Sequence, residues 1–293
     1  AGIMSMSIQG VAFFLAVACM SCAAAQSTCL EVGVNPFYDT PSLAAFSKHI
    51  DVLGCFDVMA EPGISDAQVL HVAAVAAELM DQDEDGRVDD PGLEAALREG
   101  GALMPVLERS GSRTERQLFR GYRGEGMAAV LYADEVDPTR PGRWGADATV
   151  EEVLHTLHVV GFVPRFPQQL GLAPGVSSLS KAMDVARGGR FLKVPRAYPE
   201  GAWYHYDDKT CDYGCMAIEY LYWASVTEMG LLDDAETAAG IADEWAWHSP
   251  EGLRQGDALV HAIITDRGLG LPLRAPDGEY CPSVKIQEKR KHP

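Results

Sequence analysis

The sequence has none of the short motifs by which several common enzyme classes hold a nucleophile or a phosphate group. It contains no G-x-S-x-G turn, no P-loop and no glycine-rich dinucleotide fingerprint, and no internal repeat is visible. These absences argue against the common serine hydrolases, the P-loop NTPases and the Rossmann enzymes.

Positive charge is also scarce in this chain. The 293 residues include 24 Lys and Arg against 42 Asp and Glu, which gives a formal net charge of −18 at pH 7. Such a balance repels nucleic acid and anionic membrane surfaces, so neither is expected as the main partner, whereas cations are favoured. Apolar residues make up 47% of the chain, which is typical of a globular protein with a sizeable core.

Long apolar runs are rare, and the run near the N-terminus is short. Residues 11–18 read VAFFLAVA and are followed by small residues at Ala23 and Ala25. A membrane span needs roughly 20 apolar residues, whereas a short apolar run before an A-x-A site is typical of a secretory signal peptide. The pattern predicts a signal peptide over residues 1–25, a secreted, extracellular protein, and no membrane span.

Cysteine occurs seven times, and Cys19 and Cys22 would be removed with the signal peptide. In an oxidising compartment the other five predict two disulfide bonds and one remaining thiol. Two pairs are candidates, Cys211 with Cys215 and Cys29 with Cys55, but one sequence leaves the connectivity open. A thiolate metal cluster is less favoured, because no second closely spaced pair exists.

Helical periodicity dominates the rest of the chain. Apolar residues recur at spacings of three and four over residues 65–80 and 214–229, and shorter helical patterns follow at 178–186, 235–247 and 259–265. MAAVLY, at 127–132, is predicted as a strand. We therefore expect a mainly α fold with a small β component, of the α+β class. A weak boundary near residue 120 would separate an N-terminal helical region, 26–120, from a second domain, 121–283, and a basic flexible tail, 284–293.

A dense run of aspartates separates two of the predicted helices. DQDEDGRVDD has carboxylates at alternate positions, followed by Gly86. Calcium takes six to eight oxygen ligands, and this spacing resembles the D-x-D-x-D-G calcium loop of EF-hands, in which the glycine permits a sharp turn. Gly92 occupies the position of the bidentate EF-hand glutamate, so a shortened loop would close on an aspartate instead; the alternative is a solvated acidic turn. The predicted calcium ligands are Asp81, Asp83, Asp85, Asp89 and Asp90.

A second group of candidate ligands lies in the stretch ATVEEVLHTLHVVGF, residues 148–162. Residues three or four apart share one face of a helix, so Glu151, Glu152 and His158 all neighbour His155. Imidazole and carboxylate ligands together suit zinc or another first-row transition metal. The stretch therefore predicts a metal site centred on His155.

EEVLH resembles the HExxH motif of zincin metallopeptidases, in which two histidines bind zinc and the glutamate activates water. In the gluzincin branch a third ligand is a glutamate on a later helix, and this chain has Glu219 in CMAIEYLYWA. The resemblance covers roughly residues 125–230 and implies a zincin-like helical scaffold with MAAVLY as its edge strand. It also implies His155 and Glu219 as zinc ligands, with Glu152 as the general base.

The chain departs from the zincin motif at its first position, where Glu151 replaces a histidine. A Glu/His/Glu site would result, with His158 as a substitute ligand. The added negative charge would raise the pKa of a coordinated water and weaken the ion as a Lewis acid. Glu152-x-x-His155 also matches one copy of the E-x-x-H motif of di-iron helix bundles, whose second copy is missing here. In a third interpretation the glutamates only favour the helix N-terminus and the histidines lie at a half-buried boundary.

The stretch WYHYDD, at 203–208, mixes aromatic, imidazole and carboxylate groups. Tyr204, Tyr206 or His205 would stabilise an oxyanion or close a site, unless the stretch is only a structural loop. Together these features predict a secreted, metal-dependent hydrolase of peptide or protein substrates that uses a zinc-type ion and is stabilised by calcium. Its catalytic residues would be Glu152, Tyr204 and His205. The alternative is a non-catalytic, secreted calcium- or metal-binding protein on a degenerate zincin scaffold.

Overall fold

The structure, a computed structural model, describes residues 29–282. The predicted signal peptide, 1–25, and the predicted tail, 284–293, lie outside the described residues. Helices predominate within the described chain, and the strands form a single small sheet. The predicted mainly α fold with a small β component is therefore confirmed.

One mixed sheet carries its strands in chain order. They are β1 (Gly33–Val34), β2 (Lys48–Val52), β3 (Phe56–Ala60), β4 (Ala102–Leu107) and β5 (Leu131–Tyr132). β1 to β3 are antiparallel, whereas β3 to β5 are parallel. The predicted strand at 127–132 is regular only at its end, because pairing with β4 starts at Leu131.

The helices follow the periodicity of the sequence closely where they are long. They are α1 (Asp66–Met80), α2 (Pro91–Gly100), α3 (Arg113–Gly121), α4 (Thr149–Thr156), α5 (Val163–Arg165), α6 (Pro167–Leu170), α7 (Ser178–Ala186), α8 (Tyr213–Glu228), α9 (Ala235–Ile241), α10 (Pro250–Gly256) and α11 (Ala258–Ile264). At the start of α1, Ser65 and Gln68 form a capping box that satisfies two backbone N–H groups. α1 and α8 each lie within a residue of their predicted bounds, whereas the pattern at 235–247 gives a helix that ends at Ile241.

α4 runs without a break into a π-helical turn, Leu157–Phe162, and then into α5. Such wide turns are rare in proteins, and those that occur often lie at functional sites. Gly161 lies in this turn against α2, where a Cβ would come within 2.5 Å of the Leu93 Cδ1. The glycine thus allows α2 to pack closely on the helix that carries His155.

The main apolar core contains residues from Ile50 to Tyr280, so it includes segments on both sides of residue 120. α4 and α8 pack against each other, and α1 also packs on α4. Of the helices within residues 29–282, none combines the length and the apolar character that crossing a membrane requires.

Two disulfide bonds join Cys29 to Cys281 and Cys211 to Cys215. The predicted Cys211–Cys215 pair is confirmed, whereas the candidate pair of Cys29 with Cys55 is wrong. Cys55 points into the core, with its Sγ 3.9 Å from the Met80 sulfur, and is the free thiol of the described chain. Burial raises its pKa to about 12, so it is an inert core thiol.

Candidate metal centre

α4 and α8 bring His155 and Glu219 together. The His155 Nε2 lies 3.3 Å from the Glu219 Oε2. Glu151, one helical turn before His155, joins them, and ligand atoms from the three side chains all lie within 4.8 Å of one another. The two distant segments that the sequence pattern pairs are therefore neighbours in the fold.

The two nitrogens of His155 face different carboxylates, and the ring is almost fully buried. Nδ1 lies 3.3 Å from the Glu152 Oε2. Nε2 is within ion-pair distance of Glu219, but among the described residues it has no partner aligned for a hydrogen bond. A metal-ligating histidine commonly gives its second N–H to a carboxylate. Nε2 is therefore the nitrogen oriented to take a metal, and Glu152 fixes the ring.

Two tyrosines hold the carboxylates of this group. The Tyr206 hydroxyl donates to the Glu219 Oε1 over 3.1 Å. The Tyr222 hydroxyl hydrogen-bonds Glu151, and its ring meets the His155 ring edge-on with centroids 5.7 Å apart. Sequence reasoning missed Tyr222, although its position one turn after Glu219 on α8 places it on the same helix face.

The carboxyl groups around His155 are crowded. Burial raises the pKa of Glu151 to about 8, and Glu152 and Glu219 raise it while His155 lowers it. Burial also raises the pKa of Glu244 to about 7, with Glu219 adding to the shift. Burial alone would lower the pKa of His155, but Glu152 and Glu219 outweigh it and hold the pKa well above its usual value. The group therefore holds an excess of negative charge that a proton or a cation relieves.

Glu152, His155 and Glu219 line an open cleft of about 630 Å³. The chain segment 127–130 forms part of its wall, ahead of β5. The other lining residues are Phe119, Tyr132, Glu135, Asp208 and Thr210. The cleft gives a solute direct access to the imidazole and two of its neighbouring carboxylates.

His158 does not join the ligand group. It is fully buried, and neither of its ring nitrogens has a hydrogen-bond partner within residues 29–282. Burial, together with the charge of His155, lowers its pKa to about 3, so the ring is neutral. Its ring packs beside that of Phe162, with centroids 6.2 Å apart, inside the core rather than toward Glu219.

Of the three predicted catalytic residues, Glu152 lines the cleft and the other two do not. Tyr204 is fully buried, and its hydroxyl donates to the Met216 carbonyl over 2.7 Å. His205 is half-buried with its ring centroid 5.2 Å from that of Tyr198. Tyr206 is the member of this stretch whose hydroxyl reaches the site, through Glu219.

The aspartate loop between α1 and α2 brings three of its five predicted ligands together. Ligand atoms of Asp81, Asp83 and Asp89 all lie within 4.8 Å of one another. Asp81 is fully buried and accepts hydrogen bonds from the backbone N–H groups of Asp85 and Gly86. Gly86 has φ +93°, which is the sharp turn that its place in the sequence predicts.

Asp85 and Asp90 lie outside that group of three. Asp85 is exposed and contributes its backbone N–H to the loop. Asp90 is the N-cap of α2, accepting from the Gly92 N–H, and also pairs with Arg165 over 2.7 Å. A carboxylate that caps a helix and pairs with an arginine is committed to those partners, which keeps Asp90 outside the group.

The C-terminal segment holds the aspartate loop. The Tyr280 hydroxyl donates to Asp81 over 2.5 Å, and the Glu78 carboxylate accepts from the backbone N–H groups of Asp277 and Gly278. The neighbouring Cys281 forms the disulfide to Cys29. The loop is thus fixed to the end of the described chain.

Comparison with protein-family models, with curated proteins and with solved structures gives no match for this chain. A function is therefore inferred from the geometry and chemistry of the two carboxylate groups.

Proposed function

We propose that the protein is a secreted, metal-dependent hydrolase of peptide or related amide bonds on a zincin-like scaffold. Its ion, zinc or another first-row transition metal, is held by Glu151, His155 and Glu219. One observation carries the proposal: the buried Nε2 of His155, without an aligned hydrogen-bond partner among the described residues, lies 3.3 Å from the Glu219 Oε2 beside an open cleft, and Glu151 completes a group of three ligand atoms within 4.8 Å of one another.

The donor set fits such an ion. One imidazole nitrogen and two carboxylate oxygens form a mixed N/O donor set, which suits zinc and its first-row neighbours. Burial raises the pKa of Glu151 to about 8, with Glu152 and Glu219 adding to the shift, and a divalent cation would favour its ionised form. When bound, the ion supplies Lewis-acid polarisation of the scissile carbonyl, weakened by the second carboxylate.

Glu152 is the general base in this proposal. It lines the cleft, and one of its oxygens orients His155. Its carboxylate would take a proton from the attacking water and return it to the leaving nitrogen. Tyr206 acts through Glu219 and is a positioning residue.

Calcium at Asp81, Asp83 and Asp89 is the second part of the proposal. The loop follows α1, which packs on α4, the helix of His155. Its Asp81 accepts a hydrogen bond from Tyr280 of the C-terminal segment. An ion there would stabilise the scaffold rather than take part in the reaction. Secretion agrees with both parts, because disulfide bonds persist in oxidising compartments and calcium is abundant there.

The test compares wild-type protein with Glu152→Gln, using Glu99→Gln on the exposed face of α2 as a control with the same loss of charge. Purified proteins are analysed for metal content and incubated with a peptide library whose products are identified by mass spectrometry. With metal supplied in excess, we expect chelator-sensitive cleavage that falls at least about 100-fold in Glu152→Gln. The control should cleave like wild type.

Two outcomes contradict the hydrolase. Cleavage that survives in Glu152→Gln would belong to another group or to a contaminant. A transition metal at one equivalent without any cleavage would instead support the non-catalytic metal-binding protein, and so would calcium alone.

A further inference from the structure

An arginine-rich surface lies on α3, a helix with a single buried residue, Leu118. Arg113, Arg116 and Arg120 follow one another at spacings of three and four, which places them on one helix face. All three are exposed, and they line a shallow groove of about 390 Å³. We refer to these three residues as the arginine face.

The charge of the arginine face is not neutralised by the rest of the described chain. Within residues 29–282, none of its members forms an ion pair, whereas most other arginines of this acidic protein do, for example Arg98 and Arg143. Arg116 donates to the Gly111 carbonyl, which orients its guanidinium but leaves the charge in place. Like charges three and four residues apart on an exposed helix repel one another weakly, and an anionic partner would relieve that repulsion.

The acidic residue of α3 does not compensate for these arginines. The Glu115 carboxylate accepts the Gly111 N–H over 2.6 Å and the Tyr132 hydroxyl over 2.5 Å. One oxygen is thus held by the turn before α3 and the other by β5. The positive face is therefore left to interact with groups outside the chain.

The arginine face adjoins the cleft of the metal centre. Phe119, 52% exposed, lines the cleft and lies three residues after Arg116, which lines the groove, so these two side chains are neighbours on α3. A ligand that lies in the cleft and continues over α3 would meet the apolar ring first and the guanidinium groups next. The two surfaces are consecutive parts of one rim.

We propose that the arginine face binds an acidic segment of a polypeptide whose neighbouring residues occupy the cleft. Guanidinium groups bind carboxylates in a planar, two-pronged geometry, so aspartate and glutamate side chains suit this surface. The net charge of −18 opposes long polyanions and anionic membranes, which extend over the whole molecule, whereas a short acidic segment meets only the local positive face. That this segment belongs to a substrate rests on the proposed function; the binding itself does not.

Binding is measured in the Glu152→Gln background, so that the peptide stays intact. The probes are a fluorescein-labelled glutamate-rich peptide and its glutamine counterpart, followed by fluorescence anisotropy at two salt concentrations. The variant R113Q/R116Q/R120Q is compared with K181Q/K193Q/R196Q, which removes the same charge from exposed positions elsewhere. We expect the first variant to weaken binding of the acidic peptide about tenfold and to flatten its salt dependence, with the control unchanged.

A charge-reversal variant, R113E/R116E/R120E, should lose the acidic peptide and bind a lysine-rich one. Equal binding of the glutamate and glutamine peptides by wild type overturns the proposal, as does an equal loss in both triple variants. Tighter binding of phosphatidylserine vesicles or of single-stranded DNA than of the acidic peptide also overturns it. Because the measurement needs no turnover, a failed hydrolase test leaves its result interpretable.

Discussion

The molecule contains two groups of crowded carboxylates that are stabilised in opposite ways. In the aspartate loop, backbone N–H groups donate hydrogen bonds to the carboxylates. The Gly86 N–H donates to Asp81, and the Gln82 N–H donates to Asp89. In the His/Glu group on α4 and α8, Glu151 and Glu219 meet each other, an imidazole and two tyrosine hydroxyls. The first group is held mostly by backbone N–H groups of its own loop, whereas the second is held by side chains of two helices.

The difference appears in how each group carries its charge. A backbone N–H that bonds a carboxylate favours its ionised form. Burial raises the pKa of Asp89, and the hydrogen bond from the Gln82 N–H opposes that shift. At Glu151 burial is again the largest cause, and it raises the pKa to about 8. A proton or a cation relieves the repulsion in both groups, but only the aspartate loop also has backbone N–H groups that favour the ionised carboxylates.

The largest expected effect separates the two groups by their ions. His155→Ala should weaken zinc binding by more than about 100-fold, because even loss of an outer partner costs about 10–100-fold. The same variant should keep the stabilisation by calcium, about 2.7 kcal/mol at a hundred times the dissociation constant. Titration calorimetry with zinc and thermal unfolding with calcium measure the two effects.

Asp83→Asn is the reciprocal variant, and it should lose the calcium effect while binding zinc like wild type. If either substitution removed both responses, the two groups would form one coupled site, and the contrast between them would disappear.

Much of this arrangement follows from the sequence, because helical periodicity and capping are local. Ser65 caps α1, the spacing of Glu151 and His155 puts them on one helix face, and the resemblance to the zincin motif implies Glu219 as their partner. The glycine at position 86 likewise marks a turn that needs positive φ.

The remaining features depend on tertiary contacts that a sequence pattern does not carry. The short, buried strands β3 and β4 resemble buried helix segments in periodicity, so their pattern is ambiguous. The packing of His158 beside Phe162 and the pairing of Cys29 with Cys281 are both set by tertiary contacts. Tyr206, rather than the predicted Tyr204, donates a hydrogen bond to Glu219 at the site. The Tyr204 hydroxyl instead donates to the Met216 carbonyl in the core.

A smaller effect tests whether side chains alone hold the His/Glu group. Tyr206→Phe removes the hydroxyl that donates to Glu219 and should weaken zinc binding about tenfold, as loss of an outer partner does. Tyr204→Phe is the matched control, because its hydroxyl bonds the Met216 carbonyl in the core. Zinc titration should therefore leave the control unchanged, and an equal loss in both variants would point to a general loosening of α8.

The smallest effect concerns the charge that this group carries without metal. Burial raises the pKa of Glu244 from 4.5 to about 7, so between these values the folded protein binds more protons than the unfolded chain, and stability falls as pH rises. Glu244→Gln removes the charge and keeps an oxygen for the Trp223 N–H. In chelator-treated protein it should stabilise the fold by about 1 kcal/mol at pH 8, and by much less near pH 4.5. Urea unfolding at both pH values measures the free energy of unfolding, and Glu99→Gln is the exposed control. If Glu244→Gln raised this free energy equally at both pH values, the charge of Glu244 would not be the cause of the crowding.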